Sequence, residues 1–551
     1  MKNYPLKENS STGCANESNV SFDQSSPDNP KNGSEVSPIV TAAKGGGLSL
    51  IGATAGALLA IILQVLISRF YGPKYYGIFV TCLIVCNVLQ NISALGLHKA
   101  GMRFLSIGHE MSSYKMILDV FKTVSYVPFL FGVIIAVVLY AMSSFISVTC
   151  FHNPEMVAML KLFSIALPFF ALFQVTAELS RGFKTTKYTV IIENLFFPFS
   201  QIAAFIALQV LGHNYLSAGY AFLFAVIVCS FSMLMTVRNQ VRNFIGPSQF
   251  HQLMARYSIS TMNWKPILAY SLPLTPFGLL FICGSSMDIL MLNILGSSAG
   301  VGEYAAAARW IIFFSFIVGS LNNIFGPLIA GKLGVNKMED VRILNGAATR
   351  WMLFMTLPIA VFLMLSRDPM MLIFGEKFLQ DGPTVLLILG FGSIFIALSG
   401  TGGLLFVLGG HQFAELGMLI FLVILNILLN LLLIPLYGII GAAFSTITSN
   451  MVVILFRILL IYRYFKIHPF SSNLVFPVVT FLILAIGGLI VQSTLQTSNT
   501  LNLLLGAGSS VLVLLSIIFT GFDDNDRDLF ILFRNKVTNR QVSNIKTSAV
   551  T

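Results

Sequence analysis

The chain has 551 residues, 56% of them hydrophobic and only 10% charged, with a mean hydropathy of +0.83 and a formal net charge of +11. Polar side chains are too few to cover a soluble globule of this size, so lipid must solvate most of the molecule. The positive excess falls in gaps between apolar runs, which excludes nucleic acid as the expected partner and points to membrane lipids, whose anionic headgroups such loops contact.

In chain order, residues 1–46 are rich in Ser, Asn, Pro and Lys, contain no apolar run, and read as a disordered cytoplasmic tail. They lack the basic start and apolar core of a signal peptide. Fourteen apolar windows follow, at 48–69, 76–97, 121–142, 157–177, 190–211, 215–236, 267–295, 302–330, 351–366, 384–407, 414–436, 439–462, 472–492 and 500–521. Each meets the length of about 20 apolar residues that a helix needs to cross a hydrocarbon core of ~30 Å. The expected organisation is a first lobe over 47–236, a cytoplasmic linker over 237–266, a second lobe over 267–462, two further helices over 463–521, and a cytoplasmic tail over 522–551. The fold class is therefore an all-α polytopic membrane protein of about 14 crossings.

Placing the N-terminus in the cytoplasm puts 27 of the 33 basic residues on that side. Only Arg69, Lys74, Arg367 and Lys377 fall in outer loops, while Lys161 and Arg309 lie inside spans. The positive-inside rule then puts both termini in the cytoplasm of a cell whose plasma or inner membrane carries the protein.

The outer loops are short, the longest near 367–383, and leave no room for a catalytic domain. Gly45-Gly46-Gly47 lacks the Lys-Ser/Thr of a P-loop, and neither His-Glu-x-x-His nor Gly-x-Ser-x-Gly occurs. Six cysteines show no paired spacing, so no metal or disulfide framework is expected, and no cofactor. The acidic run Asp523-Asp524-Asn525-Asp526 reads as a solvated end. The expectation is a protein that is not an enzyme.

Two echoes suggest an internal repeat. Arg69-Phe-Tyr-Gly72-Pro-Lys-Tyr-Tyr-Gly77 after the first span matches Ile294-Leu-Gly296-Ser-Ser-Ala-Gly-Val-Gly302 after the seventh, and Ala218-Gly219-Tyr220-Ala221 matches Ile440-Gly441-Ala442-Ala443. Their offsets nearly agree, which implies two six-helix lobes related by a pseudo-two-fold axis along the membrane normal, with two extra C-terminal helices.

An ionised group at mid-bilayer costs ~2.5–3.5 kcal/mol on insertion scales, so charges inside spans need a partner or a wet cavity. Asp288 and Arg309 lie at matching depths in the hairpin of spans 7 and 8, where they can form a structural ion pair or present Arg309, tuned by Asp288 as its charge partner, to a central cavity. Arg69 and Lys74 stand at the outer mouth, and Lys99, Arg103, Arg181 and Lys184 cluster at the inner one, where topology signalling is one reading and phosphate recognition by cationic groups another. Amides inside spans, namely Gln64, then Asn87, Gln90 and Asn91 on one helix face, then Gln174, Asn194, Gln201, Asn322, Asn323, Asn426 and Asn430, suit interhelical hydrogen bonds or a polar cavity that accepts sugar hydroxyls.

Taken together, Arg69-Phe-Tyr-Gly-Pro-Lys-Tyr-Tyr-Gly-Ile-Phe79, Gly96-Leu-His-Lys-Ala-Gly-Met-Arg-Phe-Leu105, Arg181-Gly-Phe183, Asp288-Ile-Leu-Met-Leu292, Val301-Gly-Glu-Tyr-Ala-Ala-Ala-Ala-Arg-Trp310 and Leu436-Tyr-Gly-Ile-Ile-Gly-Ala-Ala443 resemble the polysaccharide-unit (O-antigen type) flippases of the multidrug, oligosaccharidyl-lipid and polysaccharide exporter superfamily. The resemblance covers about 48–521, while the long N-tail departs from the family's compact start. It implies a V-shaped pair of lobes that moves a polyprenyl-(pyro)phosphate-linked oligosaccharide to the outer leaflet by alternating access, with a polysaccharide polymerase as a candidate partner. In that picture Lys99, Arg103 and Arg181 draw in the headgroup, Arg309 receives it in the cavity, Arg69 stands at its exit, and Gln64, Asn87, Gln90 and Asn91 line the polar route. An ion-coupled multidrug or metabolite antiporter of the same fold is the alternative, and it would use carboxylates deep in a lobe, where Glu178, Glu193, Asp288, Glu303 and Glu415 are the acids at hand. A membrane glycosyltransferase or polymerase would need a large outer loop with acidic residues.

Overall fold

The computed structural model describes residues 38–183, 185–212, 214–256, 264–467, 472–495 and 497–521. The chain divides into two units, residues 1–44 and 45–551, and both lobes belong to the second. The expected tails at 1–37 and 522–551, and Lys184, lie outside the described residues.

Among the described residues the secondary structure is entirely helical. The first lobe comprises α1 (Pro38–Ala94), α2 (Leu97–Glu110), α3 (Tyr114–Phe145), α4 (Met156–Arg181), α5 (Lys187–Thr189), α6 (Phe197–Val210) and α7 (Ser217–Ile245). A π-helical turn, Val190–Phe196, joins α5 to α6. The expected linker is largely helical: α7 runs on to Ile245 and α8 (Pro247–Arg256) follows. Likewise, α1 is helical from Pro38, eight residues inside the stretch read as a disordered tail.

The second lobe contains α9 (Lys265–Ser271), α10 (Thr275–Leu295), α11 (Ser298–Trp310), α12 (Ile312–Gly334), α13 (Met338–Leu365), α14 (Arg367–Leu372), α15 (Gly382–Leu398), α16 (Gly402–Leu408) and α17 (Gln412–Phe465). The extra pair is α18 (Val475–Leu495) and α19 (Asn499–Ser516), which pack on α13 and make it the most buried span.

Among the described residues twelve helical stretches are long and apolar enough to cross a membrane, yet α1 and α17 are each two crossings, which restores the expected 14. Gly72 interrupts α1 at φ 74° and Gly438 interrupts α17 at φ 56°, a backbone region that residues with a Cβ rarely enter. Side-chain contacts show that the chain doubles back at both points. Tyr76 donates a buried hydrogen bond of 2.7 Å to Gln64 Oε1, although 12 helical residues would span about 18 Å. Asn426 Nδ2 lies 3.4 Å from Ser449 Oγ across the Gly438 turn.

The two repeated turns touch each other. A Cβ on Gly77 would lie 2.0 Å from the Ser298 carbonyl, and one on Gly302 would lie 2.0 Å from the Pro73 carbonyl. Ser298 precedes Gly302 by one helical turn, as Pro73 precedes Gly77, so the contact is reciprocal, as a local two-fold axis between the lobes requires. Nearby, Asn293 Nδ2 donates to Thr81 Oγ1 at 2.8 Å and Asn153 Nδ2 to Ser298 Oγ at 2.8 Å. We call this end the glycine mouth.

At the opposite end, the basic mouth, amphipathic α2 packs on α9. Phe104 meets Tyr270 edge to face at 5.7 Å, and the Arg103 guanidinium lies over the Tyr270 ring at 4.3 Å. A Cβ on Gly96 would lie 2.2 Å from the Ser271 carbonyl. The lobes therefore meet at both mouths.

Candidate functional site

The seam between the lobes brings together several of the expected residues. Asn91 on α1 faces α10 of the other lobe, its Oδ1 placed where a Cβ on Gly278 would be 2.5 Å away. Asn87, one turn earlier on the same face, is half-buried and donates to the Leu83 carbonyl at 2.9 Å. Gln90 is buried, and its Oε1 has no hydrogen-bond partner among the described residues. Gln64 serves instead as the acceptor for Tyr76.

Arg309, in the last turn of α11, reaches across the seam to the neighbourhood of the Tyr76 hydroxyl. Arg309 of one lobe thus lies beside the Tyr76–Gln64 hydrogen bond of the other. No ion pair joins Arg309 to Asp288 among the described residues. They lie on consecutive helices but project to different sides, Arg309 toward α1 and Asp288 toward α17.

Asp288 is buried in the second lobe and, among the described residues, is held by neutral groups alone. Its Oδ1 accepts from Asn426 Nδ2 at 2.8 Å and Asn430 Nδ2 at 3.0 Å, and its Oδ2 accepts from Thr446 Oγ1 at 2.7 Å and Tyr304 Oη at 3.0 Å. Four donors offset much of the cost of desolvating a carboxylate. The spacing of Asn426 and Asn430 at i and i+4 puts both amides on one face of α17. Their role as partners of Asp288 is not readable from spacing, because the Gly438 turn has to bring Thr446 to the same point.

Glu303 is also buried, and its Oε2 accepts from the backbone N–H groups of Asp381 at 2.9 Å and Gly382 at 3.0 Å, capping the start of α15.

Arg69 at the glycine mouth donates from Nε to the Ile373 carbonyl at 2.8 Å and from Nη2 to the Leu372 carbonyl at 3.2 Å, satisfying carbonyls at the end of α14. Lys74 pairs with Glu155 at 2.8 Å on the exposed surface.

At the basic mouth, Lys99 and Arg181 come together around acids. Arg181 Nη1 lies 2.7 Å from Glu178 Oε1 and its Nη2 3.1 Å from Glu193 Oε2, while Lys99 Nζ lies 3.5 Å from Glu178 Oε1. Arg103 stands apart from this group, on Tyr270. His98 beside them is pushed down to about 4 by burial, partly opposed by Glu178, so its ring is neutral near pH 7. Glu178 was legible as a partner, three residues before Arg181. Glu193 was not, since the helix that carries it reaches Arg181 only through the fold.

A separate cavity of about 250 Å³ opens inside the second lobe, lined in part by Asn322, Ser399, Gly403, Asn450 and Arg457. Arg457 pairs with Glu415 at 2.6 Å and donates to Ser399 Oγ at 3.0 Å. Sequence pattern marks Arg457 only as a topology signal near a helix end. Among the described residues no cluster of three or more His, Cys, Asp or Glu side chains could hold a metal ion.

Residues 66–381, more than half of the chain, match the family model described as polysaccharide biosynthesis protein. The chain belongs to that family. Capsular polysaccharide biosynthesis protein CapF of Staphylococcus aureus is 24% identical over 240 residues, which cover 43% of this chain and 58% of CapF. The match thus spans under two thirds of that relative. In fold the chain is similar to the lipid II flippase MurJ in its inward closed conformation, with a TM-score of 0.62 and 15% identity over 88% of this chain and 99% of MurJ. It is also similar to an inward-facing multidrug resistance MATE family transporter of the MOP superfamily, with a TM-score of 0.60 and 15% identity over 75% of this chain and 94% of the transporter. This family member is a multi-pass membrane protein with the two-lobed fold of that superfamily.

Proposed function

We propose that this protein is a flippase that carries a polyprenyl-(pyro)phosphate-linked oligosaccharide from the cytoplasmic to the outer leaflet by alternating access, for cell-surface polysaccharide synthesis. The observation that carries the reading is the seam itself: two lobes in contact at both ends, with Arg309, Asn87 and Asn91 between them. Alternating access needs two separable contacts around one site, and a half-buried guanidinium inside a span between lobes needs water or an anion to solvate it. The basic mouth faces the cytoplasm, as the distribution of Lys and Arg requires, and both termini lie there. Lys99, Arg103 and Arg181 receive the headgroup, Arg309 holds it at mid-route, and Arg69 stands at the exit. Sugars follow the polar face of Asn87, Gln90, Asn91 and Gln64, while the prenyl tail stays in the bilayer. A polysaccharide polymerase would take the product.

Replacing Arg309 or Arg69 with Ala in protein that still inserts tests the assignment. The expected result is loss of surface glycan with accumulation of the lipid-linked precursor. Unchanged glycan export would remove these residues from the mechanism.

Asp288 favours one addition, ion coupling. Among the described residues its buried carboxylate has no cationic partner, which leaves a negative group for a coupling ion to meet, as an ion-driven carrier of this fold would require. Asp288→Asn should then uncouple transport from an imposed ion gradient while leaving the fold intact.

A further inference from the structure

Any cationic site open to a bilayer has a competitor problem. Ordinary phospholipids carry phosphodiesters with one negative charge, and they far outnumber a lipid-linked glycan. At the basic mouth Lys99 and Arg181 are not bare, because Glu178 lies 2.7 Å from Arg181 and 3.5 Å from Lys99, and Glu193 lies 3.1 Å from Arg181. Two cations and two carboxylates leave the group neutral, and neutral His98 adds nothing to it near pH 7.

The layering of these four side chains is informative. Glu178 and Glu193 are 18% and 26% exposed, against 65% and 35% for Lys99 and Arg181. The acids hold the cations from behind, and the cations keep N–H groups turned toward solvent. Glu193 is also built into place. It sits in the π-helical turn Val190–Phe196, and Gly52 and Gly56 of α1 press directly against that turn. A Cβ on Gly56 would lie 2.3 Å from the Asn194 carbonyl, and one on Gly52 would lie 2.2 Å from Val190 Cγ1. Small residues four apart allow this approach between helices, and a π turn is a register shift often found at functional sites.

We infer that Glu178 and Glu193 are specificity-determining residues that make the mouth selective for a pyrophosphate-linked lipid over phosphodiester lipids. A phosphodiester offers one charge, too little to displace two carboxylates. A pyrophosphate linkage offers two adjacent charges, one for each cation, and the guanidinium fork of Arg181 can take its oxygens in pairs. Contact between α2 and α9 covers this mouth, so the exchange from carboxylate to phosphate accompanies separation of Arg103 and Phe104 from Tyr270. The inference rests on the flippase reading and narrows its substrate class.

The test uses the full chain purified in detergent. Binding of a short-chain prenyl pyrophosphoryl hexose and of phosphatidylglycerol is measured separately by microscale thermophoresis, and then in competition. The unaltered protein should prefer the pyrophosphate lipid by roughly tenfold or more. Glu178→Gln and Glu193→Gln, made singly, should each raise phosphatidylglycerol affinity and narrow that preference, while Arg181→Gln should weaken pyrophosphate binding. Unaltered protein that binds both lipids equally overturns the inference without any variant, whether or not the variants fold. Folded Gln variants with unchanged lipid preference overturn it as well. If Arg181→Gln leaves pyrophosphate binding intact, the headgroup assignment fails together with the selectivity.

Discussion

Asp288 and the Glu178–Glu193 pair are both acids held in place at helix ends or inside spans, but they are held by opposite means. Asp288, deep in the second lobe, is surrounded by two amides and two hydroxyls and, among the described residues, touches no cation. Glu178 and Glu193, at the edge of the first lobe, are tied to Arg181 and Lys99. The difference teaches where water reaches. A second full charge in the dry interior would add its own desolvation cost, so neutral donors do the holding there. At the mouth, Arg181 and Lys99 offset that cost for Glu178 and Glu193, and partly exposed ion pairs exchange readily.

The largest effect should come from breaking the dry site. Asp288→Ala removes the acceptor that Asn426, Asn430, Thr446 and Tyr304 share and leaves them only their contacts with one another, Ser449 and the Ala442 carbonyl, at roughly 1–3 kcal/mol for each buried donor left unsatisfied. A pronounced fall in melting temperature is expected in detergent, with Asp288→Asn falling much less. Equal stability of the two variants would show that the network is not what holds α10 to α17.

Next in size is the seam. Gly302→Leu cannot fit against the Pro73 carbonyl and should hold the glycine mouth apart. Thr81→Cys, buried in the parent, should then react with a water-soluble maleimide several times faster. No change in labelling rate would argue that this contact is not the closure.

The wet cluster should respond to pH through His98. Its folded pKa, about 4, lies below the ordinary value of 6.5, so the neutral form belongs to the fold. Stability from this group is complete above about 6.5 and is lost as pH falls through the folded value. Melting temperature should decline between about 6.5 and 4, and His98→Gln should flatten that limb. The smallest effect belongs to the surface pair: Lys74→Ala, which breaks an exposed contact to Glu155, should leave the melting temperature within error.

Much of this architecture was legible in the sequence. All 14 crossings follow from apolar length, and the repeat follows from Gly72, Gly77, Gly296 and Gly302, because tight reversals and close backbone approach leave a glycine signature. The site was legible only in part. Arg309, Asn87 and Asn91 stood out because polar groups inside spans are costly. Their partners did not, since Tyr76 is an ordinary interfacial aromatic until the Gly72 turn brings it beside Gln64. Depth along adjacent helices suggested that Asp288 could meet Arg309, but depth says nothing of azimuth, and the two side chains leave their hairpin in different directions. Helical order beyond Pro38 and through 237–256 was not legible, because polar helices carry no membrane signature.

At Gly77 and Gly302 the glycine mouth closes with backbone carbonyls against bare Cα atoms, so steric fit rather than charge governs that contact. Such a latch should be indifferent to ionic strength and to the voltage across the membrane. Its counterpart, where a guanidinium lies over a tyrosine ring beside a cluster of ions, is susceptible to both. Salt, lipid charge and membrane potential should therefore act on the conformational cycle more strongly from the basic side, with the glycine contact following by leverage.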